Sequence, residues 1–269
     1  MIKINGKVFG NEEFHNGEVI YMKPELDNKE NVITMFFENN KDIANLVMAN
    51  IYLDKTAPSC GKRLIMPYIP YSRMDREIND QIFSLKYFAE LVNSMNFNKV
   101  IVGDPHSKVS FELIKNLEEV DIESVIRQNV LTEINIQTIM FPDKGARSKY
   151  TEKYSNLCEE FEVVYGEKKR DLANRGKIVG YDIFTNDIDL TGKNVLIVDD
   201  LSSFGNTFKF ASKALKDCGA KNVYLFVTHS EDSILKGDLL NIDSLQKVFT
   251  TNSIIRSSTN PNLIVINKF

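Results

Sequence analysis

Two adjacent carboxylates, Asp199 and Asp200, close the apolar run Val195-Leu196-Ile197-Val198 and open onto Leu201-Ser202-Ser203-Phe204-Gly205-Asn206-Thr207. An apolar strand, a short polar loop and a helix start bring free N–H groups and a helix dipole to one point, which makes an anion site. Carboxylates beside it do not suit phosphate alone. They suit vicinal sugar hydroxyls, or Mg²⁺. The plain alternative is an ordinary strand-to-helix connection with an acidic turn.

Three further groups carry chemistry. In Pro67-Tyr68-Ile69-Pro70-Tyr71-Ser72-Arg73-Met74-Asp75-Arg76 two prolines stiffen the backbone ahead of two guanidinium forks suited to phosphate oxygens. Asp75 between them orients a neighbour or pairs with the arginines in a plain surface loop. Asp104-Pro105-His106 and Asp143 follow apolar runs, at strand ends where open α/β sheets bind ligands, and Asp with His suits one hard cation that keeps its waters. A structural histidine turn is the alternative. The run Glu167 to Arg175 gathers Lys168, Lys169, Arg170 and Arg175 on a polar stretch, either a solvated charged face or a flap that closes on polyphosphate. His15 and His229 read as structural.

These groups need a scaffold of strands. Asn31–Phe37, Arg63–Met66, Lys99–Val102, Thr138–Phe141, Asn194–Val198, Val223–Val227, Lys247–Phe249 and Leu263–Ile266 are apolar or β-branched runs, alternating with helical spacings at βα intervals. That predicts α/β domains with parallel sheets flanked by helices. Asp42 and Ser84 are placed to cap the first two helices, and Phe208, Ala211, Leu215 and Cys218 share a face of a later one that Gly219 stops. Asn16-Gly17 predicts a hairpin turn. The two halves echo one another, which suggests a duplicated fold of two domains, 1–138 and 139–269.

Composition narrows the class. The chain of 269 residues is 43% hydrophobic and 26% charged, with a net charge of -4, against broad nucleic-acid binding. No apolar run nears the roughly 18 residues of a membrane span, and the N-terminus lacks a signal-peptide core. Three cysteines without metal spacing point to reduced thiols in a cytoplasm.

Taken in order, Phe14-x-Asn16-Gly17-Glu18, the Pro67–Arg76 segment, Asp104-x-His106-Ser107, Pro142-Asp143-x-Gly145, Glu167-Lys168-x-Arg170, Val198-Asp199-Asp200 and Thr250-Thr251-Asn252-Ser253-Ile254 resemble the landmarks of phosphoribosyl pyrophosphate synthetases. The resemblance runs from about residue 10 to 256 and implies two tandem phosphoribosyltransferase-like domains. It implies a transferase that moves the β,γ-diphosphate of ATP to the 1-hydroxyl of ribose 5-phosphate with Mg²⁺. Phe14, Asn16 and Glu18 match a turn that holds adenine in a neighbouring subunit's site, so at least a dimer is implied. Arg73 and Met74, with Asp75 and Arg76, match the ATP segment. His106 and Asp143, with Asp104, match the metal turn; Lys168 and Arg170 match the catalytic flap, with His106 available to assist. Asp199, Asp200, Ser203, Phe204, Gly205, Asn206 and Thr207 match the ribose 5-phosphate loop.

The chain departs from the pattern at three kinds of place. Met74 stands where the family has Gln; Ser203, Phe204 and Asn206 stand where the loop has a carboxylate, Thr and Gly; and Ser107–Glu133 lacks the family's subunit-contact flag. A ring and a β-carbon crowd a phosphate nest, while an aromatic can stack on a base. A larger acceptor such as ADP-ribose, with a place in NAD metabolism, is therefore the second reading. A non-catalytic regulatory relative and a phosphoribosyltransferase are the others.

Overall fold

The computed structural model describes residues 1–10, 12–171 and 177–269, without the side chains of residues 170, 171, 177 and 178. It divides into two compact units, Met1–Val120 and Asp121–Phe269. The helical stretch after Asp121 lies in the second unit, where Arg127 bonds Glu160 at 2.6 Å.

The first unit runs β1 (Ile2–Ile4), β2 (Lys7–Val8), β3 (Glu12–Glu13), β4 (Val19–Ile20), β5 (Glu30–Met35), α1 (Lys41–Thr56), β6 (Gly61–Met66), α2 (Ser84–Ser94), β7 (Lys99–Val102), α3 (Val109–Leu113) and β8 (Leu117–Glu119). Its sheet has the order β2-β1-β5-β6-β7-β8, with β5 to β8 parallel and β1 and β2 antiparallel at one edge. Alternate residues of β5 and β6 are buried, so Ile33, Met35, Leu64 and Met66 meet Leu46 and Leu53 of α1 and Phe88 and Val92 of α2 in one core. β3 and β4 form the separate hairpin expected around Asn16-Gly17, and Gly17 has φ +88°, a left-handed value that glycine adopts freely.

Neither expected cap is one. Asp42 lies inside the first turn of α1, where its carboxylate takes the N–H groups of Glu38 and Asn39 and pairs with the α-amine of Met1. Ser84 is the first residue of α2, and its hydroxyl turns back to the Ile82 carbonyl at 3.5 Å.

The second unit runs α4 (Ile122–Val125), β9 (Thr138–Phe141), α5 (Lys144–Lys153), α6 (Ser155–Glu160), β10 (Glu162–Asp171), β11 (Lys177–Phe184), β12 (Asn194–Ser202), α7 (Asn206–Asp217), β13 (Asn222–Ser230), β14 (Lys247–Thr251) and β15 (Leu263–Ile266). The order is β11-β10-β9-β12-β13-β14-β15; only β11 is antiparallel to its neighbour. β9 and residues Val195–Val198 of β12 are buried throughout, as a strand covered on both faces requires. Each sheet thus has the expected parallel body and helices, plus an antiparallel edge that the sequence pattern did not announce. The helix after Gly205 forms as expected, but it ends at Asp217 and leaves Cys218 exposed rather than on the apolar face. Among the described residues no helix is long and apolar enough to cross a membrane.

Candidate active site

In the first unit the expected residues leave from the carboxyl ends of neighbouring strands. Pro67 follows β6 and Gly103 follows β7, and the Gly103 N–H donates to the Pro67 carbonyl at 3.0 Å. Tyr71 sits at φ +61° in the turn between them and Arg73, an uncommon backbone for a bulky residue. Its ring is wedged between Phe37 and Phe88, and its hydroxyl donates to the Asn40 side chain at 2.8 Å. Packing therefore holds a strained turn that presents Arg73 and Arg76 outward and keeps Met74 and Asp75 half-buried. Asp104 is fully buried, whereas His106 two residues on is exposed. Phe14, Asn16 and Glu18 lie on the β3–β4 hairpin: the Asn16 side chain accepts the Glu18 N–H at 3.1 Å, and the Phe14 ring is 59% exposed.

The second unit assembles a denser group. Asp143 ends the turn after β9 and caps α5, its Oδ1 accepting the Ala146 N–H at 2.9 Å. Its other oxygen lies 3.2 Å from Nζ of Lys168, which projects from β10. On β12, beside β9, the acidic pair continues the strand instead of ending it. The Asp200 N–H donates to Asp199 Oδ1 at 3.0 Å, and Nζ of Lys149, from α5, lies 3.6 Å from Asp200 Oδ2.

These carboxylates crowd one another. Burial, then the charges of Asp200 and Asp143, push the Asp199 carboxyl well above the usual range, against the pull of the Asp200 N–H and Lys149. Burial and the charges of Asp143 and Asp199 likewise push the Tyr181 phenol up, so it stays a hydrogen-bond donor at neutral pH. Three carboxylates, two lysines and a phenol thus interact within the second unit. Lys149 and Tyr181 were not foreseen.

The loop after the acidic pair is built against a neighbouring segment. Gly205 has φ +79°, and a β-carbon there would lie 2.9 Å from Cβ of Leu239. At Gly237 a β-carbon would lie 2.6 Å from the Phe204 carbonyl oxygen, so two backbones approach closely and both positions must be glycine. Ser203 and Ser233 share a hydrogen bond at 3.0 Å. Asn206 and Thr207 open α7, whose N-terminus no side chain caps, and the Phe204 ring stands 52% exposed beside it. Arg170 is in β10, but its side chain and the rest of the expected flap, 172–176, lie outside the described residues.

Comparison with known proteins gives this geometry a family. A model described as "Phosphoribosyl transferase domain" matches residues 114–251, which hold every residue of the second-unit group. The chain is 31% identical over 200 residues to ribose-phosphate pyrophosphokinase 2 of Schizosaccharomyces pombe, covering 71% of this chain and 59% of that one. It is 24% identical over 258 residues to the ribose-phosphate pyrophosphokinase of Sulfurisphaera tokodaii, covering 94% and 85%. The chain belongs to the phosphoribosyl transferase domain family. A solved phosphoribosylpyrophosphate synthetase from Mycobacterium smegmatis shares the fold, with TM-score 0.72 at 19% identity, covering 95% of this chain and 84% of that one. The chain spans little more than half of the fission-yeast relative, 59% of its length.

Proposed function

We propose that the chain is a Mg-ATP-dependent diphosphokinase that transfers the β,γ-diphosphate of ATP to the anomeric 1-hydroxyl of ribose 5-phosphate, giving phosphoribosyl pyrophosphate and AMP. One observation carries this: the strand bearing Asp199 and Asp200 leads through residues 201–205 to an uncapped helix N-terminus, with Lys149 and Lys168 on the same group of carboxylates. Neutral diol and phosphate dianion are the two ends of ribose 5-phosphate, and the two parts of this strand end match them in order.

In the reaction the 1-hydroxyl oxygen attacks the β-phosphorus. The bond from that phosphorus to the α,β-bridging oxygen breaks, the bridging oxygen leaves with AMP, and the hydroxyl proton passes to solvent. The work of the protein is placement and charge. Asp199 and Asp200 hold the ring hydroxyls and orient the nucleophile. Loop N–H groups and the first turn of α7, from Ser203 to Thr207, take the 5-phosphate. Lys168, with Arg170 from the same strand, offsets charge on the transferred group, and Arg73 and Arg76 take the triphosphate. Phe14 packs on adenine, with Asn16 and Glu18 shaping its turn, and the exposed ring reaches a second copy of the chain.

A hydrated Mg²⁺ fits the donor chemistry. Asp143 offers a hard carboxylate oxygen that is half-exposed, and His106 is exposed, while Asp104 is fully buried. Mg²⁺ takes few protein ligands and completes its shell with water and phosphate. When bound, Mg²⁺ supplies positive charge to the diphosphate.

The exposed Phe204 ring supports a second reading, in which the acceptor is a larger ribose 5-phosphate ester such as ADP-ribose and the ring stacks on its base. Steady-state AMP release with each acceptor separates them. Turnover with ribose 5-phosphate alone supports the first, turnover with ADP-ribose alone the second, and none with either points to a regulatory relative.

A further inference from the structure

Tyr181 lies on the edge strand β11, directly across from Lys168 on β10. Its phenol donates to the main-chain carbonyl of Pro142, the residue before Asp143. The ring crosses the hairpin over Gly166, where a β-carbon would lie 2.5 Å from the phenol oxygen and 2.6 Å from Cζ. Glycine at 166 is thus the space that lets the tyrosine reach the turn. On either side of this hydrogen bond, Lys168 meets Asp143 at 3.2 Å and Glu167 meets Lys144 at 3.3 Å. Three contacts from one hairpin end on three consecutive residues, Pro142, Asp143 and Lys144.

These contacts differ in kind. The two ion pairs are between partly exposed side chains, which water and salt weaken. The phenol–carbonyl bond is part-buried and joins two neutral groups, so salt does not screen it as it screens an ion pair. It also ends on main chain, so it fixes the path of the turn and not one rotamer. Without it, the side-chain links found among the described residues from this hairpin to those three residues are two screened ion pairs.

We propose that Tyr181 is a positioning residue: it ties the β10–β11 hairpin to the Pro142–Lys144 turn and so sets Lys168 and Asp143 at their working separation. The role rests on the diphosphokinase reading for its effect on turnover, but the tie itself is a property of the fold. When substrate phosphate takes the Lys168 ammonium from Asp143, Tyr181 is what keeps the two groups registered.

The test uses Tyr181→Phe, which keeps the ring over Gly166 and deletes only the hydroxyl, with Gly166→Ala as a second route to displacing the ring. Two quantities are read in the full chain: kcat and KM for Mg-ATP and ribose 5-phosphate, and amide hydrogen exchange of residues 143–148, where the Asp143 cap holds the Ala146 N–H. The expected result for Y181F is a fall in kcat of roughly ten-fold or more with KM for both substrates within about two-fold, since misplacing a catalytic group slows the step without weakening binding. Exchange at Ala146 rises several-fold while strands β12 and β13 keep their protection. Unchanged exchange and unchanged kcat in Y181F overturn the proposal. Raised exchange in a chain that releases no AMP with any acceptor leaves the tie standing and removes the reading of its purpose. A fall in protection throughout the unit, with kcat per folded molecule preserved, makes Tyr181 a stability residue and overturns the positioning role.

Discussion

Nζ of Lys149 lies 3.6 Å from the Asp200 carboxylate, while the adjoining Asp199 has its own oxygen turned to the Asp200 N–H. Neighbouring carboxylates on one strand therefore have different surroundings. Asp200 has a cation beside it, and Asp199 is held by burial among like charges. A site for a diol tolerates this asymmetry better than a site for a metal would, because a carboxyl in either protonation state accepts hydrogen bonds from hydroxyls.

If the pair grips the sugar, Asp199→Asn should leave KM for Mg-ATP within about two-fold and lower kcat/KM for ribose 5-phosphate roughly a hundred-fold or more, the scale of losing one positioned polar group at a reacting centre. Initial rates of AMP release at varied concentrations of each substrate read this directly. An equal rise in both KM values would place Asp199 elsewhere than on the sugar.

Lys149→Met keeps most of the side-chain volume but leaves Asp200 without that cation. Both side chains are largely buried, at 20% and 12% exposure, so the variant should lose about 1–3 kcal/mol in urea denaturation. Lys149→Arg should recover most of it. Equal stability of wild type and the Met variant would show that the pair contributes nothing.

Lys62 makes the corresponding test in the first unit. Its buried ammonium donates to the Asn50 side chain at 2.8 Å and the Met95 carbonyl at 2.9 Å, pairs with Asp54, and lies over the Phe97 ring. Lys62→Met strands buried acceptors, and a loss of about 1–3 kcal/mol in the unfolding free energy from urea denaturation is expected. AMP release per folded molecule should not change.

Asp121 gives a pH dependence with a definite sign. Its carboxylate caps α4, accepting the Ser124 hydroxyl and N–H at 2.5 and 3.0 Å, and these bonds hold its pKa below the usual carboxylate value. A folded-state pKa below the unfolded one means the contribution is full above the unfolded pKa, near 4, and fades as pH falls through the folded value. Asp121→Ala should therefore cost about 1 kcal/mol at pH 7 and little near pH 2. A cost that stays constant across that range would contradict the cap.

Much of this architecture was legible in the chain. Val195–Val198 announces a doubly covered strand because nothing in it is polar, and Asn16-Gly17 announces its hairpin by backbone chemistry. The caps were not legible. Asp42 and Ser84 have capping side chains near helix starts, but both lie inside their helices, and Asp42 is drawn to the α-amine of Met1, a partner 41 residues away in the chain. α5 reads Lys-Gly-Ala-Arg-Ser-Lys-Tyr-Thr-Glu-Lys, with no apolar stripe, so nothing local separates Lys149 from the other cations. β11 follows a charged run and carries Gly180, and the significance of Tyr181 depends on Gly166, its neighbour across the hairpin and not along the sequence.

The central claim is that a diphosphate, and not a single phosphate, leaves ATP for the anomeric oxygen of a ribose 5-phosphate. Phosphorus NMR of the purified chain with Mg-ATP and ribose 5-phosphate measures it in one tube. The account predicts AMP and, in equal amount, a new pair of mutually coupled diphosphate signals on the sugar. ADP with a singly phosphorylated sugar carbon, or an unchanged spectrum with ribose 5-phosphate and with ADP-ribose, would contradict it.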